Sequence, residues 1–86
     1  MSELKIKDVK IAVIGLGYVG LPLALEFSKK KYVTGFDIDK KKIKLLKTGI
    51  DKTKEIKKKD LINSKKLFLT SDRDDLKKAN CYIITV

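Results

Sequence analysis

Three observations predict a parallel α/β sheet for this 86-residue chain. Short apolar runs at 10–14, 32–36, 67–70 and 81–86 alternate with segments of helical spacing. The first run ends in a glycine turn, Gly15-Leu16-Gly17-Tyr18-Val19-Gly20, and the second ends in Asp37. Strands that alternate with helices must be joined by crossovers, which place them parallel in a sheet with helices on both faces. A glycine turn directly after the first strand makes that sheet Rossmann-type, with the predicted strand order 3-2-1-4.

Each element has its own local reason. Lys10-Ile11-Ala12-Val13-Ile14 reads as a strand buried on both faces. From Tyr18 to Lys30, Val19, Leu23 and Phe27 recur every four residues with Ala24 beside them, which predicts a helix that buries this face. Pro22 falls about one turn in, where a missing N–H is tolerated, and Lys29-Lys30-Lys31 suits the negative end of the helix dipole. Tyr32-Val33-Thr34-Gly35-Phe36 is the second strand. Asp39 is positioned to cap a second helix whose apolar stripe is Ile43 and Leu46 and whose stop is Gly49.

Beyond Gly49 the pattern weakens. A short charged helix is predicted over 55–62, anchored by Leu61 and Ile62. Leu67-Phe68-Leu69-Thr70 is a third strand, and Ser71 or Asp72 caps a last helix that carries Leu76 and Ala79. The run from Cys81 to Val86 is predicted to be a buried strand, with Cys81 a small buried hydrophobe. The chain stops inside this run, so the fold is expected to be truncated. Residues 1–8 are read as a flexible leader, and 9–86 as the N-terminal part of a dinucleotide-binding domain.

Composition narrows the function classes. No apolar run approaches the roughly 20 residues of a membrane span, and the N-terminus lacks the apolar core of a secretory signal. A single cysteine cannot form an internal disulfide, so a reducing cytoplasm is the expected compartment. Lys and Arg number 21 against 11 acids, a net charge of +10, which invites an anionic partner. However, Arg73 is the sole arginine, and the lysines are spread through every segment between strands. Nucleic-acid readers add arginine forks and stacking aromatics, so neither nucleic acid nor membrane is the expected partner.

The glycine turn carries the chemistry. Gly15 permits a tight exit from the strand, Gly17 lets a pyrophosphate approach the backbone, and Gly20 lets the helix pack closely on the sheet. Free N–H groups at the helix start then face the anion. Asp37 lies 20 residues beyond Gly17, where a carboxylate accepts hydrogen bonds from the adenosine ribose and repels a 2′-phosphate. That favours NAD over NADP, although Lys40-Lys41-Lys42 also reads as a pocket for a 2′-phosphate.

Lys10 to Leu25, KIAVIGLGYVGLPLAL, followed by Gly35-Phe36-Asp37, resembles the N-terminal domain of the UDP-glucose/GDP-mannose dehydrogenase family. The likeness continues through Gly49-Ile50-Asp51-Lys52-Thr53-Lys54-Glu55, Leu69-Thr70 and the final strand. The G-x-D-x-T-x-E stretch is similar to the UDP-N-acetylhexosamine branch, which makes uronic acids for surface polysaccharides. The resemblance implies oxidation of a sugar C6 hydroxymethyl to a carboxylate with two NAD and a cysteine nucleophile. It implies that Gly15, Gly17, Tyr18, Val19 and Gly20 line the pyrophosphate turn and that Asp37 holds the ribose. Lys42 falls where the family often has an arginine near the adenosine, and Thr85 and Val86 fall along the nicotinamide-side strand end.

The family's cysteine nucleophile lies in a downstream segment, so Cys81 has no catalytic role on this reading. The 86 residues alone are expected to be inactive. The UDP-sugar is a partner of the full-length enzyme only, which is expected to be a homodimer or larger. A lone nucleotide-sensing regulatory module is the alternative, though such a module is not expected to carry Gly-Tyr-Val-Gly-Leu-Pro.

Overall fold

The computed structural model describes residues 9–51 and 56–85. Among them four strands, β1 (Ile11–Ile14), β2 (Val33–Phe36), β3 (Leu67–Thr70) and β4 (Cys81–Ile84), pair in parallel in the order β3-β2-β1-β4. The helices are α1 (Gly20–Ser28), α2 (Lys40–Lys47) and α3 (Lys58–Ile62), with a 3-10 helix at Arg73–Lys78. Both the element order and the strand order are those the sequence predicts. The expected leader at 1–8, Val86, and Thr53 and Glu55 of the G-x-D-x-T-x-E stretch lie outside the described residues.

β1 is central and pairs on both sides, so it is the most apolar strand in practice: Ala12 and Val13 are fully buried. Register sorts the strand residues onto two faces. Ile11, Val13, Val33, Leu69 and the half-buried Ile83 lie on one face, and α1, α2 and α3 all pack there through Leu21, Ala24, Leu25, Ile43, Leu46 and Leu61. The other face carries the 3-10 helix, which contacts β2. Covering is therefore uneven, with three α-helices on one side. The cause is the direction of travel: the connections β1→β2→β3 step one way across the sheet, and the step to β4 reverses it.

Four predicted details are corrected, the last of them in α3. α1 buries Leu21, Ala24, Leu25 and Ser28, whereas Val19 is 60% exposed and Leu23 and Phe27 are only half-buried. Its sequence is apolar nearly all round, so four-residue spacing alone does not choose the face. Close packing of Gly20 on the turn chooses it. The last helix is 3-10 rather than α, and Ala79 lies past its end. Asp72 accepts the Asp74 N–H, and the Tyr82 hydroxyl lies 2.7 Å from the Leu76 carbonyl and 2.9 Å from that of Ala79. These contacts satisfy both ends of six residues without a longer helix.

β4 is the third correction. Cys81, Tyr82 and Ile84 are exposed, and Ile84 is 73% so. Among the described residues β4 has β1 on one side and no strand on the other, and of its residues only Ile83 packs against the core. Burial of an apolar strand is decided by its neighbours, not by its own composition.

Around α2 the local predictions hold. Asp39 caps α2 by accepting the Lys42 N–H at 3.1 Å, Ile43 and Leu46 are buried, and Gly49 ends the segment at φ 90°. α3 is shorter than predicted. Leu61 is buried, but Ile62 is exposed, and Ile56 supplies the second core contact instead.

Candidate functional site: the glycine turn between β1 and α1

The turn begins at Gly15, whose φ of 98° belongs to the left-handed region that L side chains avoid. Its N–H donates to the Phe36 carbonyl at 2.8 Å, and a Cβ there would lie 2.6 Å from the Thr85 carbonyl oxygen. Leu16 turns its side chain into the core. Gly20 opens α1, and a Cβ on it would fall onto the Gly15 carbonyl and 2.6 Å from Thr85 Oγ1. Gly17 is the opposite case: nothing lies within 4 Å of the place its Cβ would occupy. The turn is packed tight beneath and open above.

The start of α1 is equally open. No side chain caps it and no acid lies in its first turn, although helix starts usually carry such a group. The partial positive charge of its N–H groups is left for another anion. Tyr18 and Val19 stand exposed at the rim, at 70% and 60%.

Asp37, just past β2, is held close to this turn. One carboxylate oxygen, Oδ2, accepts the Leu16 N–H at 2.9 Å and lies 3.4 Å from the Lys42 ammonium. The other, Oδ1, accepts the Asp39 N–H at 2.9 Å. Burial pushes the Asp37 pKa up, but the Asp39 and Leu16 N–H groups and Lys42 together outweigh it. The net pKa is below the usual carboxylate value. Asp37 is thus both an acceptor at the strand end and a tether of the turn. Lys42 turns onto it, while Lys40 and Lys41 stay exposed.

A depressed folded-state pKa stabilises the fold above the unfolded value of about 3.9, and this contribution is lost as pH falls through the folded value. The Asp37→Asn variant is expected to be about 1–3 kcal/mol less stable at neutral pH. That gap should close in acid. Urea unfolding at pH 7 and below pH 3 measures it; a gap of constant size at both would show that the charge of Asp37 is not what holds the turn.

Thr85 follows β4 and lies against the same turn. Its N–H donates to the Ile14 carbonyl at 2.9 Å, and its hydroxyl lies 2.7 Å from the Gly15 carbonyl. The structure therefore brings Gly15, Gly20, Asp37, Lys42 and Thr85 together, with Gly17, Tyr18 and Val19 on the exposed side. Two contacts escape sequence reasoning, Asp37 to the Leu16 N–H and Thr85 to Gly15. Neither has a local sequence signal.

A groove of about 550 Å³ between α1 and the residues around α3 shares no residue with this site. It lacks the uncapped helix start and the acid, so it does not displace the turn as the candidate. Among the described residues no group of three or more His, Cys, Asp or Glu is placed to hold a metal. No helix among them is long and apolar enough to cross a membrane.

A glycine turn between a central parallel strand and an uncapped helix, with an acid at the end of the next strand, defines a dinucleotide-binding domain of Rossmann type. This chain belongs to the UDP-glucose/GDP-mannose dehydrogenase family, whose NAD binding domain matches residues 9–86. The cofactor of the domain is NAD.

The chain is 51% identical over 80 residues to UDP-N-acetyl-D-glucosamine 6-dehydrogenase of Pseudomonas aeruginosa, covering 93% of this chain and 19% of that protein. It is 52% identical over 81 residues to the Salmonella typhi protein of the same name, covering 94% and 19%. The solved UDP-D-ManNAc dehydrogenase of Pyrococcus horikoshii superposes with a TM-score of 0.80 at 38% identity, covering 91% of this chain and 20% of that one. The chain thus spans about a fifth of the length of these relatives. All three are named for UDP-N-acetylhexosamines, the branch implied by the stretch from Gly49 to Glu55.

Proposed function

We propose that this chain is the cofactor-holding part of an NAD-dependent UDP-N-acetylhexosamine 6-dehydrogenase that makes a uronic acid for surface polysaccharide. The observation that carries the reading is the open space over Gly17, flanked by the uncapped start of α1 and by Asp37. The pyrophosphate of NAD fits that space because it supplies the anion the helix start lacks. Tyr18 and Val19 form the exposed rim of this site, and the family resemblance assigns Val86, which lies outside the described residues, to its nicotinamide side.

Oδ1 of Asp37 accepts the Asp39 N–H and retains a lone pair for a ribose hydroxyl. A 2′-phosphate at that place would meet the same carboxylate. Lys42 lies between, within reach of the acid and of the adenosine end. NAD, when bound, supplies the hydride acceptor. The residues described here bind and orient it, and the nucleophile and the sugar site belong to the remainder of the enzyme.

The enzyme is cytoplasmic on this reading, consistent with Cys81, the single and unpaired cysteine of these 86 residues. Its assembly as a homodimer or larger rests on the family resemblance alone. A lone nucleotide-sensing module is disfavoured because the relatives at 51% and 52% identity are both named as 6-dehydrogenases.

Calorimetric titration of the full chain with NAD and NADP tests the reading. NAD is expected to bind more tightly, and no NADH should form when a UDP-N-acetylhexosamine is added to these 86 residues alone. Tighter binding of NADP would overturn the role given to Asp37.

A further inference from the structure

The Thr85 and Asp37 contacts meet on one peptide unit. The Gly15 carbonyl, which Thr85 Oγ1 reaches at 2.7 Å, and the Leu16 N–H, which Asp37 Oδ2 accepts at 2.9 Å, are the two polar ends of the Gly15–Leu16 amide. The amide is trans, so its oxygen and hydrogen point to opposite sides. One side is held from the β4 end of the sheet and the other from the β2 end. A rotation of this plane would break both contacts at once.

We propose that Thr85 is a positioning residue for dinucleotide binding, acting through the Gly15 carbonyl to fix the peptide plane from which the open turn at Gly17 departs. The proposal rests on the reading of this turn as the NAD site, and it gives Thr85 a role distinct from lining the nicotinamide side. Thr85 is itself anchored, because its N–H continues the β1–β4 ladder onto Ile14. Its hydroxyl also lies where only a glycine at position 20 leaves room for it. The side chain touches the underside of the turn, so it contributes by preorganisation: the loop need not be ordered when the ligand arrives.

The distinguishing variants are Thr85→Val, which keeps the shape and removes the donor, and Thr85→Ser, which keeps the donor. Calorimetric titration of the full chain with NAD is expected to give about three- to tenfold weaker binding for the valine variant and binding within about twofold of wild type for the serine variant. Amide hydrogen exchange across residues 15–20 should accelerate with valine and not with serine.

Equal NAD affinity in the wild-type and valine proteins would overturn the proposal while leaving the NAD reading intact. A wild-type chain that binds no NAD would overturn that reading, and the proposal with it. Should the valine variant fail to fold, Thr85→Cys serves against Thr85→Ser, since a thiol is a weak donor of nearly the same size. Equal affinities in that pair would likewise refute the hydroxyl's role.

Discussion

Replacing Gly20 with alanine is expected to cost at least about 3 kcal/mol of folding stability, the upper range for forcing atoms into a packed interior. The new methyl would land on the Gly15 carbonyl and beside Thr85 Oγ1. A backbone carbonyl cannot swing aside as a flexible side chain can, and this one belongs to a residue already held at φ 98°. Relief would require α1 to lift from β1 and β2, both of which it contacts. A domain of this size has only about 4–13 kcal/mol in total. Urea denaturation measures the loss, and a variant with an unchanged midpoint would mean that the helix has room to shift.

The Gly17→Ala variant should behave in the opposite way. No atom lies within 4 Å of the added methyl, and no positive φ forbids it, so stability should stay within about 0.5 kcal/mol of wild type. NAD affinity should fall on the order of a hundredfold, because the methyl stands where the pyrophosphate must approach the backbone. Thermal melting paired with calorimetry separates the two effects. Undiminished NAD binding in this variant would move the pyrophosphate away from the turn. Together the two glycines divide the motif: one serves packing and the other serves access.

Much of this was legible in the sequence because it depends on neighbours in the chain. The strand runs, the Asp39 cap, the Gly49 stop and the glycine spacing are all local signals, and alternation of strands and helices led to the order 3-2-1-4. What escaped depends on distance. The face of α1 was misplaced because GLPLALEFS offers two apolar stripes, and packing at Gly20 selects between them. β4 was expected to be buried because Cys81 to Ile84 is apolar, yet its exposure follows from its place beside β1 alone. Likewise Asp37 was recognised as a ribose acceptor, but its bond to the Leu16 N–H spans 21 positions and that of Thr85 to Gly15 spans 70. Composition carries no trace of such pairs.

The place of β4 at the edge of the sheet among the described residues also bears on the order of events in their folding. β1 and β2 are joined through one helix, whereas Ile11 must find Cys81 across nearly the whole chain. The entropy of closing that long loop is recovered only after the earlier strands have paired. With little of β4 buried, its pairing is also among the first to open locally. The oxygen side of the Gly15–Leu16 amide is therefore secured late and released early, so a cofactor seated on the turn would slow the fraying of β4.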